Sequence, residues 1–159
     1  ITQTILQDNE EIAIDHSTKF DFVSIGDATV MADKRRVSRI IRNLIVNAIE
    51  HCDGTNVEVQ IAGNESCVSI SVRDHGQGIA VEDISRVFGR FWRADPARQR
   101  TLGGTGLGLS IAQEDAQLHG GVIEVWGEIG NGAQFTCTVP RERGQMLRDR
   151  PIPILHIPE

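Results

Sequence analysis

From Val37 to His51 the apolar residues Ile40, Ile41, Leu44, Ile45, Ala48 and Ile49 recur at spacings of three and four, which places them on one face of an α-helix. Asp33 precedes this run as an N-cap, because its carboxylate can accept from the free N–H groups of the first turn. The helix is therefore a buried one, ending near His51. Strands follow it: Val57, Val59 and Ile61 alternate, then Val68, Ile70 and Val72 do the same, and Gly63, Asn64 and Glu65 between them read as a hairpin turn. A second helix spans Leu107 to Leu118, closed by Gly120 and Gly121, with His119 in its last turn facing the terminal carbonyls rather than serving as ligand or catalyst. Two more strands, Val122 to Gly127 and Phe135 to Val139, are joined by the turn EIGNG. Shorter β-type patterns cover Glu11 to Asp15, Phe20 to Ile25 and Ala28 to Ala32, and Val81 to Phe88 suits a short helix.

With 159 residues and 40% hydrophobic content the chain suits one domain with a real core. Its formal charge of −6 argues against a nucleic-acid partner, which would call for a basic stripe. Cys52, Cys67 and Cys137 are odd in number and lack CxxC spacing, so reduced structural thiols are expected. No apolar run reaches the length of a membrane span, and the start has neither a signal-peptide pattern nor a methionine, which suggests a piece of a longer protein. Beyond Pro140 the chain carries arginines and then PIPILHIPE. Residues 141–159 are expected to be an extended or disordered tail that docks elsewhere on the parent, apart from a domain at 1–140.

Chemistry concentrates at three places. In GGTGLGL the glycines Gly103, Gly104, Gly106 and Gly108 permit φ > 0 and a close approach to a ligand, and their N–H groups open the second helix. That is an anion site suited to phosphate, although a flexible linker has a similar composition. No GK[ST] follows, so it is not a Walker A loop, and no buried strand precedes it, so it is not a dinucleotide fingerprint. Between Ser85 and Thr101 stand Arg86, Arg90, Arg93, Arg98 and Arg100 against the single acid Asp95, a local reversal of charge that also favours phosphate. Phe88, Phe91 and Trp92 are expected to anchor the start of this segment in the core.

The second place is the long helix, where Asn43 and Asn47 lie four apart at the edge of the apolar stripe with His51 one turn on. Amide oxygens with room for water are what Mg²⁺ tolerates when phosphates complete its shell. The third is Asp74, which shares the inward face of Val68, Ile70 and Val72 at its strand's end. A carboxylate there is costly unless something donates to it, and an exocyclic amine would, with Gly76 and Gly78 next to it making a tight turn open to a flat ligand. The alternative is an aspartate that caps its own turn.

In chain order, RNLIVNAIEH on a helix, DHGQGI after a strand, FGRFWR, and GGTGLGLSIA opening a second helix, with FTCTVP closing the last hairpin, resemble the catalytic ATP-binding domain of bacterial sensor histidine kinases. That family belongs to a superfamily shared with gyrase, the Hsp90 chaperones and MutL. The resemblance covers about residues 11 to 140, with four motifs in order. It implies an α/β fold, a two-layer α/β sandwich of the Bergerat type, with helices on one face of a mixed, mostly antiparallel sheet, and the elements read above agree with it.

Residue by residue, the resemblance implies ATP and Mg²⁺ as cofactors. Asn47 would be the metal ligand and Asn43 would lie near the phosphates. Asp74 would accept from the adenine 6-amino group, with Gly76, Gly78 and Ile79 at the base. Phe88 and Phe91 would be anchors, Arg93 to Leu102 a mobile lid, and Gly104, Thr105, Gly106, Leu107, Gly108 and Leu109 the phosphate-binding turn. Two positions depart from the family. Glu50 stands where a lysine is often found, and His51 where a tyrosine is common, which bears on stacking against the base.

The implied function is donation of the γ-phosphoryl group of Mg·ATP to a histidine on a separate dimerisation and phosphoacceptor domain of the same kinase, followed by passage to a response regulator. No histidine here sits in the family's acceptor motif. The implied location is the cytoplasmic part of a cell-membrane sensor, reached only through segments outside this chain. Members that hydrolyse ATP resemble one another in placing a glutamate four residues before the metal asparagine, where this chain has Asn43, which cannot act as a base. A nucleotide-binding interaction module without transfer activity is the alternative, and a gyrase-type ATPase a third reading.

Overall fold

The computed structural model describes residues 1–93 and 105–155. Of the expectations above, Gly103, Gly104, Arg98, Arg100 and the lid beyond Arg93 lie outside the described residues. A five-stranded sheet forms one layer and the helices pack on one of its faces. In sheet order the strands are β1 (Phe20–Ile25), β2 (Val57–Gly63), β3 (Cys67–Asp74), β5 (Gly132–Pro140) and β4 (Val122–Glu128). Only β1 and β2 run parallel; the other three pairs are antiparallel, so the sheet is mixed and mostly antiparallel.

The long helix α3 (Lys34–His51) buries Ile40, Ile41, Leu44, Ile45, Ala48 and Ile49, the stripe its spacing predicts. Asp33 caps it, accepting from the N–H groups of Arg35 at 2.9 Å and Arg36 at 3.2 Å. Against this face stand Val57, Val59 and Ile61 of β2, Val68, Ile70 and Val72 of β3, and Phe135 and Cys137 of β5. The second long helix, α4 (Gly108–Leu118), lies beside α3 and buries Ala112 and Ala116. Gly120 then turns the chain at φ +69°.

Two early expectations are corrected. Glu11 to Asp15 is not a strand: α1 (Thr2–Asp8) and α2 (Glu10–Asp15) fill the N-terminal region. Its buried residues, Ile5, Leu6, Asn9 and Ala13, recur at helical intervals, while Ile14, which gave the alternating look, is exposed. Ala28 to Ala32 is an irregular connection. Asp27 turns it by accepting from Thr29 N–H, and among the described residues its one backbone bond across to another segment is Met31 N–H to the Arg141 carbonyl, too little for a ladder. The short helix expected over Val81 to Phe88 is there as a 3₁₀ helix, Val81–Arg86.

The chain after Pro140 packs on its own domain. Arg141 donates to the carbonyls of Asn64, Thr29 and Asp27, each at 2.6 Å. The segment then crosses the outer face of the sheet. Arg150 pairs with Glu124 at 2.7 Å, Ile152 is buried, and the Gln134 amide donates to the Pro153 carbonyl and accepts from Leu155 N–H. Beneath it Ser69, Ser71, Thr136 and Thr138 are buried, and the hydroxyls of Ser69 and Thr138 bond to each other at 2.7 Å. The expectation that this tail reaches away to another part of the parent is corrected for residues 141–155.

Candidate functional site: the polar face of helix α3

Helix α3 positions the site. Asn43, Asn47 and His51 follow at intervals of four, so they share one face and, at 1.5 Å per residue, span about 12 Å. At the first of these points α4 begins. A Cβ on Gly108 would lie 3.5 Å from Asn43 Oδ1, so α4's first turn rests on the Asn43 amide. Leu107, the residue before α4, offers no side-chain cap, and the first turn holds no acid. The leading N–H groups of α4 thus keep their capacity for an anion. Asn43 and Asn47 are half-buried, and neither side chain has a hydrogen-bond partner among the described residues.

Gly106 sits just before α4 at φ +74°. Its carbonyl accepts from Phe91 N–H at 2.9 Å, and a Cβ on it would lie 2.9 Å from Phe91 Cα, so only glycine fits the turn. Phe91 therefore acts through its backbone. Its side chain is 70% exposed and its φ is +62°, so the expectation of a core anchor is corrected there. Phe88 and Trp92 take that place. Phe88 meets Phe135 edge to face at 6.1 Å, and Trp92 packs against the core. Thr105 is exposed, Leu107 and Leu109 are half-buried along the first turn of α4, and Arg93 is half-buried at the limit of the described residues.

At the far end of the α3 face, β3 delivers Asp74. Only 1% of this residue is exposed, as its inward parity requires. Its Oδ1 accepts from Gly76 N–H at 3.0 Å. Burial pushes the carboxyl up to about 6, and the backbone N–H groups of Gly76 and Ala133 pull it partly back. The turn that follows is wedged between elements. A Cβ on Gly76 would strike the His51 carbonyl at 1.7 Å, and one on Gly78, at φ +76°, the Glu128 carbonyl at 1.8 Å. The glycines are thus demanded by neighbouring backbone. The expectation that they only leave room for a ligand lacked this reason. Ile79 packs on Gly127 of β4, and Gln77 donates its amide to His51 Nδ1 at 2.8 Å.

Sequence reasoning missed Gln77, which joins the β3 turn to α3. It also missed Gly127 and Gly132, whose lack of side chains lets the β4–β5 hairpin close on Ile79 and on the Asp74 carbonyl. A GNG turn carries no sign of which loop it will meet. Among the described residues there is no group of three or more His, Cys, Asp or Glu able to hold a metal. A cation at Asn43 and Asn47 would depend on a bound ligand's oxygens for the rest of its shell. Among the same residues no helix is long and apolar enough to cross a membrane.

The model of the histidine kinase-, DNA gyrase B- and HSP90-like ATPases matches residues 32–143. The sensor histidine kinase MtrB of Mycobacterium tuberculosis is 50% identical over 127 residues, which cover 80% of this chain and 22% of that protein. The sensor histidine kinase WalK of Bacillus subtilis is 41% identical over 124 residues, 75% of this chain and 20% of that protein. The chain thus spans about a fifth of the length of these relatives. The nucleotide-free catalytic domain of histidine kinase ThkA superposes with a TM-score of 0.76 at 25% identity, covering 89% of this chain and 91% of that one. Full-length ShkA in complex with AMPPNP gives 0.76 at 26% identity, covering 87% and 29%. With the two-layer fold, the α3 face and the order of motifs all in place, the chain belongs to the histidine kinase-, DNA gyrase B- and HSP90-like ATPase family, as an ATPase domain of the sensor histidine kinase type.

Proposed function

We propose that the α3 face binds Mg·ATP, adenine at Asp74 and triphosphate at the first turn of α4, and presents the γ-phosphoryl group to a histidine on the parent kinase's dimerisation domain. The observation that carries this reading is the pairing of a buried acid at one end of α3 with an uncapped helix start resting on Asn43 at the other. Asn43, under the start of α4, and His51, beside the turn that follows Asp74, lie about 12 Å apart along the helix, which suits an elongated ligand with a donor at one end and charge at the other.

Asp74 accepts only from backbone N–H groups, those of Gly76 and Ala133, and a carboxylate has lone pairs to spare for an exocyclic amine. The half-buried amides of Asn43 and Asn47 fit a hard cation that takes most of its ligands from phosphate; Mg²⁺ there would neutralise triphosphate charge. The N–H groups from Gly106 to Leu109 receive phosphate oxygens along the α4 axis. The Asn43 amide is too weak a base to take a proton from water at neutral pH, so it does not activate water and the phosphoryl group is kept for an external acceptor. The domain contributes positioning and electrostatics rather than covalent chemistry. Residues 1–155 would lie in the cytoplasm, and a response-regulator aspartate would receive the group in turn.

The test is to add the helical domain of the parent kinase in trans with Mg·ATP and assay acid-labile phosphohistidine. This chain alone should remain unlabelled, and the helical domain should label only in its presence. Nucleotide binding with no transfer in trans would instead favour an interaction module that signals through nucleotide occupancy.

A further inference from the structure

One buried charge is not used by the reading above. Asp115, in the middle of α4, is 1% exposed, and its carboxylate is gripped from α3 by three donors. Arg39 Nε donates to Oδ2 at 2.6 Å, Arg39 Nη2 to Oδ1 at 2.7 Å, and Arg36 Nη1 to Oδ1 at 3.0 Å. These arginines hold the carboxyl below its usual range against the cost of burial, and Asp115 in turn raises Arg39. The contact continues into a ring. The Asp115 carbonyl accepts from His119 Nδ1 at 2.7 Å, and His119 Nε2 accepts from the N–H of Asp33 at 3.1 Å, the residue that caps α3.

The spacing gives this ring a consequence. Arg36 precedes Asn43 by seven residues, and Gly108 precedes Asp115 by seven. Two antiparallel helices are thus pinned at two points, each about 10 Å apart along its own axis. One point is the Arg36–Arg39–Asp115 cluster and the other is the Asn43–Gly108 contact. Arg39, Asn43 and Asn47 also share a face at intervals of four. A bidentate arginine fixes both the slide and the rotation of a partner helix in a way that apolar packing alone does not.

We infer that Asp115 and Arg39 are positioning residues that set where the first turn of α4 presents its N–H groups, and hence how strongly the site holds phosphate. This rests on the proposed nucleotide reading. The Arg39 and Asp115 side chains bond to each other and to none of Asn43, Asn47 and Asp74. Loss of the pair should therefore weaken triphosphate and spare the base.

The experiment compares Mg·ATP with adenosine by calorimetry on the wild type, Asp115→Asn and Arg39→Gln. Arg39 is half-exposed, so its variant keeps the test open if Asp115→Asn folds poorly. Both variants are expected to lose about tenfold in ATP affinity, the size of one charged hydrogen bond, with adenosine unchanged within about twofold. The double variant should be no worse than either single one, because the two side chains act as one unit. Equal loss for both ligands, or loss for neither, would overturn the inference while leaving the nucleotide site standing. A wild type that does not prefer ATP to adenosine would overturn the site and the inference with it.

Discussion

Asp74 carries the sharpest residue-scale consequence, because its burial and its titration point the same way. With its carboxyl raised from 3.8 to about 6, the folded state holds a proton that the unfolded chain has already released. Its contribution to stability is complete below about pH 4 and is lost as pH rises to about 6, a change on the order of 2 to 3 kcal/mol. A ligand amine favours the ionised acid, so binding has the opposite trend. Adenosine, which lacks a titrating phosphate, should bind about tenfold more weakly at pH 5 than at pH 7. Calorimetry across that range checks this, and a flat profile in the wild type would place the amine elsewhere. The inward parity of Asp74 was legible because strand alternation fixes a face. Asp115 was not, since a lone aspartate inside a helix does not announce two arginines on another helix.

Among the elements, α3 with its stripe and cap is where local sequence and tertiary packing agree most fully, and the two hairpins follow it. The misread pieces are short. In Glu11 to Asp15 two isoleucines alternate within a helix whose buried stripe starts upstream, and Ala28 to Ala32 has apolar residues but no strand beside it. Glycines give the element-scale prediction, because two of them share a backbone conformation but not surroundings. Gly78 and Gly130 have φ of +76° and +83°. A Cβ on Gly78 meets the Glu128 carbonyl at 1.8 Å, whereas one on Gly130 meets nothing within 4 Å. Gly130→Ala should cost only the left-handed penalty, about 1 kcal/mol, and Gly78→Ala more than about 3 kcal/mol, as the turn is forced off the hairpin. Urea midpoints of the two variants decide it. Equal costs would mean that the β3 turn does not close against β4.

At the scale of the whole molecule, the sheet is covered on both faces, by helices on one and by residues 141–155 on the other. Prolines at 151 and 153 forecast an extended segment, but nothing in PIPILHIPE names the surface it crosses. The outer face of β3 and β5 carries the hydroxyls of Ser69, Ser71, Thr136 and Thr138, with no apolar stripe to mark it as covered. Ile152→Ala should lower stability by about 2 kcal/mol in urea melts, by removing a buried side chain. It should leave ATP affinity unchanged, because the segment lies across the sheet from α3. No loss of stability would show that the tail does not cover the sheet in solution.

In the proposed site α3 joins an adenine-reading acid to a phosphate-binding turn. Calorimetric titration of ATP into the wild type and Asp74→Asn, with and without Mg²⁺, tests it most directly. The wild type should bind ATP more tightly with Mg²⁺ than without it, and the substitution should weaken binding by about 1 to 3 kcal/mol in both conditions, the cost of a lost charged acceptor. Equal affinity of Asp74→Asn and wild type for ATP would contradict the account.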